Sequence, residues 1–300
     1  MSESPYQLHG ASAGGGPVAQ LVQGMSSEDY DSLPYVRNSR LSKMGHSPAH
    51  YDLDGKQSTQ RETASMSFGT LAHCGILEPA AIHERYVCIP PFENHIDAKK
   101  PKATKRYKDQ VAEFRESVAP KEAVDVGEMD RMLGVAESVS RHANVFHGGQ
   151  SEAVLIWQDD ETGIWCKARL DYLREDGVYD LKTTRDCRDF SRAIGRYGYD
   201  RQAAFYLRGC AALGLPADRF QFVVVETEPP YGICVGPLDE ETLADGERQV
   251  ARFLRRVREC EDNNDWPAVV EESPIFKKPR WARTKHESAR LTVGGVEVAI

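Results

Sequence analysis

The chain lacks the features that mark the simplest protein classes. Its 300 residues carry 46 acidic against 38 basic side chains, a net charge of −8. No general basic excess is therefore available to coat a polyanion by charge alone, although a local basic groove stays open. No apolar run approaches the roughly 20 residues of a membrane span. The opening residues show no basic start followed by an apolar core, so neither a membrane partner nor a secretory leader is expected. Seven cysteines (Cys74, Cys88, Cys166, Cys187, Cys210, Cys234 and Cys260) are odd in number, scattered, and free of any C-x-x-C pair. Reduced thiols in a cytoplasmic protein are expected, rather than a disulfide framework or a structural zinc site. No G-x-S-x-G elbow supports a serine hydrolase.

The rest is an ordinary globular composition, 40% hydrophobic and 28% charged, enough for one domain or two small ones. Residues 1–33 contain Gly14-Gly15-Gly16 and many Ser and Gln with little apolar periodicity, which predicts a flexible segment. The Gly triplet follows no strand and opens no clear helix, so it is a weak phosphate loop. Residues 36–51 read as a short helix ending near Ser47-Pro48. Phe68, Leu71, Ala72, Gly75 and Ile76 recur at helical spacing, predicting a buried helix over 65–78 that carries His73. Residues 97–108 hold six Lys/Arg and one Asp and read as a solvated loop or helix start.

The period then changes. Residues 152–158 read as a strand, 159–163 as a turn, and 164–173 alternate strictly. In that alternation Ile164, Cys166, Ala168, Leu170 and Tyr172 make an apolar face, opposed by Trp165, Lys167, Arg169, Asp171 and Leu173. A returning strand covers 178–184, a helix 199–213, two strands 219–226 and 231–238, and a long helix 240–261 with Leu243, Val250, Phe253, Leu254 and Val257 as its stripe. The sum is an α/β (α+β) fold, a mixed sheet flanked by helices, over residues 34–272. Residues 273–300 form a tail that is basic at first.

Chemistry centres on Asp171, Asp180 and Lys182. Asp180 and Lys182 are two apart on one strand, so they share a face about 6.6 Å apart. If the preceding turn takes two or four residues, Asp171 joins that face opposite Lys182 or Asp180 respectively; three residues would turn it away. Two carboxylates side by side repel, and a divalent cation is the usual reason to keep both ionised. Oxygen ligands favour Mg²⁺ or Mn²⁺. Lys182 would orient or help deprotonate a water, or neutralise charge on a phosphate. A plain surface hairpin with an Asp–Lys ladder is the competing explanation of that short pattern. Tyr199, Gln202 and Tyr206 share one face of the following helix, and the amide among the rings needs partners.

The order His73, Glu152, Asp171, Asp180-Leu181-Lys182, Gln202-Ala-Ala-Phe-Tyr206 resembles the PD-(D/E)xK nuclease superfamily. Within it the phrases NSRLSKMGHSPAHY, FGTLAHCGILEP, KARLDYL, YDLKTT and YGYDRQAAFY, with Asp265-Trp266-Pro267, resemble the nuclease domain of RecE-type exonucleases (exonuclease VIII) of phages and prophages. Asp fills the (D/E) slot and Leu170 stands where many members have Pro. The resemblance implies a restriction-endonuclease-like core. It implies metal ligation by His73, Asp171, Asp180 and the backbone carbonyl of Leu181, with Glu152 a weaker candidate. It makes Lys182 the catalytic lysine, with Gln202 and Tyr206 supporting the site and the DNA strand. It implies a Mg²⁺-dependent exodeoxyribonuclease acting 5′ to 3′ on double-stranded DNA ends, leaving 3′ single strands for a RecT-like annealing protein in DNA recombination, and a homo-oligomeric ring. The alternative is a catalytically inactive PD-(D/E)xK-fold module for DNA binding or assembly. The dispersed cysteines argue against the iron–sulfur nucleases of the superfamily. Basic stretches at 99–108 and 277–290, and above all Arg185, Arg188, Arg192, Arg196 and Arg201, are the candidates for DNA contact.

Overall fold

The computed structural model describes residues 19–56, 64–92, 102, 104–142, 145–269, 290–293 and 296–299. The chain divides into two units, Met1–Pro267 and Ala268–Ile300. In the first unit the elements run β1 (Gln20–Val22), α1 (Ser27–Ser32), α2 (Asn38–Leu41), α3 (Pro48–Lys56), α4 (Ala64–Leu77), α5 (Ile82–Arg85), β2 (Tyr86–Cys88), α6 (Lys105–Val118), β3 (Glu122–Val124), α7 (Val126–Arg141), β4 (Gln150–Gln158), β5 (Trp165–Arg174), β6 (Gly177–Thr184), α8 (Phe190–Tyr197), α9 (Tyr199–Ala212), β7 (Phe220–Glu226), β8 (Ile233–Pro237) and α10 (Glu240–Asn263). The second unit has a hairpin of β9 (Arg290–Val293) and β10 (Val296–Ala299), in the segment that the sequence presents only as a basic tail.

Six strands form one sheet in the order β1-β4-β5-β6-β7-β8. All neighbours are antiparallel except β6 and β7, which pair in parallel from Val178↔Phe220 to Thr184↔Glu226. The parallel pair needs a crossover, which α8 and α9 supply. One face buries Leu155, Trp157, Leu170 and Phe222 against α9 and α10, represented by Phe205 and Leu254. The other buries Tyr179, Leu181, Val223 and Val225 against α4 and α7, represented by Leu71 and Val135. The mixed sheet with helices on both faces is the architecture that the alternating middle of the chain implies.

Two stretches depart from the sequence reading. Helix α7 is not evident in it, although Asp125 and Glu128 close a capping box at its start, whereas α6 begins at Lys105 within the stretch 97–108 read as a loop or helix start. The described part of residues 1–33 carries secondary structure where the sequence shows little periodicity: β1 pairs with β4, and α1 follows. The reason lies in two cations of β5 that the alternation assigns to an open polar face. Lys167 is 2% exposed and its ammonium donates to the carbonyls of Tyr30 and Leu33, the latter at 2.7 Å. Arg169 donates to Ser27 Oγ and the Ser26 carbonyl, both at 2.9 Å. Residues 1–18, including the Gly triplet, lie outside the described residues.

The alternation of β5 holds only as far as Leu170. Leu170 and Leu173, three apart, both enter the cluster beneath α9, while Tyr172 joins the cluster beneath α4. Sides therefore switch at Asp171. Its counterpart on β4 is Glu152, since the ladder pairs Ser151↔Tyr172 and Ala153↔Leu170 and leaves out the pair between. Glu152 sits there at φ 51, in the left-handed region that few non-glycine residues occupy. The gap in the ladder falls at the two carboxylates, and strained non-glycine backbone clusters at functional sites.

Candidate active site

The β5–β6 ladder runs from Arg174↔Gly177 to Tyr172↔Tyr179 around the two-residue loop Glu175-Asp176. One step further puts Asp171 level with Asp180. For a two-residue turn the sequence reading places Asp171 opposite Lys182, and the observed register corrects that by two residues, to Asp180. Beyond Tyr179 the strands exchange a side-chain bond in place of the ladder: Leu181 N–H donates to Asp171 Oδ2 at 2.7 Å. His73 reaches the same place from α4. Its Nδ1 lies 3.6 Å from Asp171 Oδ2, and its Nε2 lies 2.9 Å from the Leu181 carbonyl oxygen.

Glu152 completes the group. One ligand atom each of His73, Glu152 and Asp171 lies within 4.8 Å of the others. Burial pushes the Glu152 carboxyl up to about 7, with Asp171 and Glu78 adding to it and Arg169 and Arg85 opposing. The donor set is one imidazole, two carboxylates and a backbone carbonyl, which suits a divalent cation. At 2.9 Å His73 Nε2 is within hydrogen-bond distance of the Leu181 carbonyl, which orients the ring with Nδ1 toward Asp171. The residues thus fit a divalent ion, and a cation would offset the repulsion of the two acids.

Asp180 is placed differently. It is fully buried, its Oδ1 accepts from Gln202 Nε2 at 3.0 Å, and its Oδ2 contacts the Lys182 ammonium. Gln202 also donates to Tyr206 Oη at 3.1 Å, so the amide has the partners that burial demands. Burial raises the Asp180 carboxyl, opposed by Lys182 and assisted by Asp171. Burial works against the Lys182 ammonium, but Asp180 and Asp171 outweigh it and hold the amine above its ordinary value. The ring of Tyr199 lies 4.9 Å from that ammonium, a cation–π contact from the helix that also carries Gln202. Burial takes Tyr206 well above the usual phenol range, with Asp180 and Asp171 adding to it.

The structure therefore brings His73, Glu152, Asp171 and the Leu181 carbonyl into one cluster, and Asp180, Lys182, Gln202 and Tyr206 into an adjoining network. Glu152, the weaker candidate by sequence, stands among the closest donors, while Asp180 is occupied by Lys182 and Gln202. The three-donor cluster opens on a cleft of about 930 Å³ lined also by Ser26, Thr70 and Arg85. A second cleft, about 650 Å³, is lined by Arg37, Lys43, Arg196, Arg201 and Tyr206.

The five arginines after β6 divide. Arg196 and Arg201 line the second cleft. Arg188 pairs with Asp186 and Arg192 with Asp189, at 2.8 and 3.1 Å, and Arg185 is exposed. Of the other basic stretches, Lys102 contacts Asp125 and Lys105, Arg106 and Lys108 lie on α6, while residues 99–101 and 277–289 fall outside the described residues. Sequence reasoning misses Arg169, which lines both clefts, and Tyr199 as the partner of Lys182. The signal for Arg169 is its place two residues before Asp171 on the same strand, obscured because it reads as one more exposed charge.

A mixed sheet with an acid on one central strand and Asp-x-Lys on the next defines a PDDEXK-like fold. The chain belongs to the family described as PDDEXK-like domain of unknown function (DUF3799), which matches residues 38–279. Its fold is similar to the crystal structure of a "Putative exonuclease" from Eubacterium rectale, at 13% identity and a TM-score of 0.58, over 86% of this chain and 96% of that one. A further structure, that of SSO0001, aligns at 16% identity with a TM-score of 0.26, over 63% of this chain and 86% of that one. No curated protein matches the chain. No helix among the described residues is long and apolar enough to cross a membrane.

Proposed function

We propose that the chain is a divalent-metal-dependent exodeoxyribonuclease of the RecE type, using Mg²⁺ or Mn²⁺ on linear double-stranded DNA. The observation that carries this reading is the convergence of His73, Glu152 and Asp171 beside a lysine held by Asp180 in a PDDEXK-like fold. His73, Glu152, Asp171 and the Leu181 carbonyl would hold the ion, with Asp180 next to them. A bound divalent cation supplies charge neutralisation at a phosphodiester and lowers the pKa of water.

The chain's own groups do the rest. Lys182 stays protonated beside Asp180 and Asp171, so it faces charge developing on the phosphate as a cation rather than taking a proton as a base. Gln202 fixes Asp180, and through it the position of Lys182, while Tyr206 fixes the Gln202 amide. Tyr199 holds the ammonium through a cation–π contact, 4.9 Å from its ring centroid.

The second cleft offers the phosphate path. Arg196 is exposed there and stacks on Tyr197, whereas Arg188 is already matched by Asp186. Arg196→Glu is expected to weaken DNA binding and lower the slope of log affinity against log salt by about 1, and Arg188→Glu to leave the slope nearly unchanged. Equal slopes for the Arg196 variant and the parent would remove this cleft from the DNA path.

Family resemblance further supports digestion from the 5′ end in the cytoplasm, with the 3′ strand passed to a RecT-like annealing partner, and a homo-oligomeric ring around the duplex. Linear duplex labelled on one strand at either the 5′ or the 3′ end tests the polarity. Early release of the 5′ label, with the 3′ label retained on strands that shorten progressively, is expected. Early release of the 3′ label, or cutting of covalently closed circles, would reject the exonuclease reading in this form.

A further inference from the structure

We infer that Arg169 is a positioning residue that couples the N-terminal segment 25–33 to the metal cluster through Glu152, an inference that rests on the proposed metal site. Arg169 stands on β5 two residues before Asp171, and its guanidinium is engaged on its outer edge. Nη1 donates to Ser27 Oγ at 2.9 Å, and Nη2 to the Ser26 carbonyl at 2.9 Å and the Met25 carbonyl at 3.3 Å. The plane lies over the Tyr30 ring, 4.6 Å from its centroid, and Lys167 approaches the same ring at 4.5 Å.

The remaining N–H is different. Arg169 Nε is buried and makes no hydrogen bond, and Glu152 Oε2 lies 3.9 Å from it. A buried donor left unmade costs more than an average hydrogen bond returns, so a small movement of Glu152 toward Nε is favoured. Glu152 itself rests on left-handed backbone at φ 51, a conformation that lasts only where the surroundings hold it. Arg169 is a group placed to do that holding, because a planar fork can grip Ser26–Ser27 on one edge and face Glu152 with the other. Lysine cannot do both.

Two consequences follow from one guanidinium touching both parties. Arg169 keeps Glu152 turned toward His73 and Asp171 before any ion arrives, as an outer partner of a ligand does. Fixing Glu152 with a cation must in turn steady Arg169 and the turn it holds, because linkage between two binding events is reciprocal. Met25, Ser26 and Ser27 line the cleft over the cluster, so the coupling would make the wall of the cleft respond to the ion.

The test uses the full chain and Mn²⁺ alone, followed by calorimetry and by hydrogen–deuterium exchange. In the wild-type protein Mn²⁺ is expected to slow exchange in 25–33. Arg169→Gln is expected to weaken Mn²⁺ binding about 10–100-fold and to abolish that slowing. Arg169→Lys should recover part of the affinity, through charge, but not the slowing. Exchange in the sheet core reports whether each variant is folded, and the wild-type measurement needs no variant. Unchanged exchange in 25–33 when Mn²⁺ binds the wild type would overturn the coupling, as would full affinity in Arg169→Gln. Asp171→Asn separates the two readings: if it too binds Mn²⁺ at wild-type affinity, the metal site itself is misplaced and the inference falls with it.

Discussion

Asp171→Asn is expected to lose divalent-cation binding, while Lys182→Ala binds the cation and loses hydrolysis. The two residues stand close together but in different networks. Asp171 places Oδ2 against His73 Nδ1 and also accepts from Leu181 N–H. Asparagine can still accept that N–H, so β5 and β6 should keep their relation, but one of two ligand charges is gone. The loss of affinity should exceed the roughly 100-fold that outer partners of a ligand are worth. Lys182 touches Asp180 and the Tyr199 ring, not the three-donor cluster. Its removal leaves Asp180 buried beside Gln202, where protonation relieves the unpaired charge. The cation site should survive, and hydrolysis should fall about 10²–10³-fold or more, the usual effect of deleting a group that stabilises transition-state charge. Calorimetry with Mn²⁺ and rates under saturating cation separate the effects. Loss of binding in Lys182→Ala with retention in Asp171→Asn would reverse the roles of the two residues.

In excess chelator the protein is expected to lose stability as pH rises from about 5 to 8, and a divalent cation to restore it. Burial with neighbouring carboxylates raises Glu152 in the folded protein to about 7, above its value in the unfolded chain. The folded state therefore binds the proton that the unfolded state releases first, and stability falls between the two pKa values. A shift of that size corresponds to at most ~3 kcal/mol, lost by the time pH passes 7. Asp180, raised in the same direction by burial, adds to the trend. A cation bound above pH 7 supplies the missing counter-charge and adds the mass-action term of any ligand specific to the folded state. Denaturant midpoints at pH 5, 6, 7 and 8, with chelator and then with Mn²⁺, check this. Glu152→Gln should flatten the chelator series. A wild-type midpoint that climbs steadily with pH in chelator would show that the acids are not stressed.

Much of this arrangement is legible from residue order alone, and the limits of that legibility have physical causes. Strands β4 to β7 and helices α9 and α10 follow from apolar period, and Asp180 and Lys182 share a strand face because the period of a strand is two. The Gln202 amide announces itself as a polar group on an apolar stripe. What cannot be read is the break at Glu152 and Asp171. A positive φ in a glutamate and a shift in alternation are imposed by tertiary contacts, and they decide which carboxylates meet. Lys167 and Arg169 are opaque for a related reason. Alternation puts both on the face opposite the apolar one, and only the return of residues 25–33 over that face turns exposed charges into buried anchors. Helix α7 does carry a signal in its residue order, since Met129, Met132, Val135, Ala136 and Val139 recur at helical spacing behind the Asp125–Glu128 capping box, and α6 carries one in Tyr107, Val111, Phe114 and Val118.

The cluster around Asp171 and the lysine beside it are together expected to make a cation-dependent nuclease. The most direct measurement is the release of nucleotides from end-labelled linear duplex by the wild-type protein, with Mg²⁺, with Mn²⁺ and with chelator, alongside Lys182→Ala. The expected result is digestion from the ends by the wild type with either cation, none with chelator, and at most a trace from Lys182→Ala. Digestion in chelator, or digestion by Lys182→Ala at the wild-type rate, would contradict that claim.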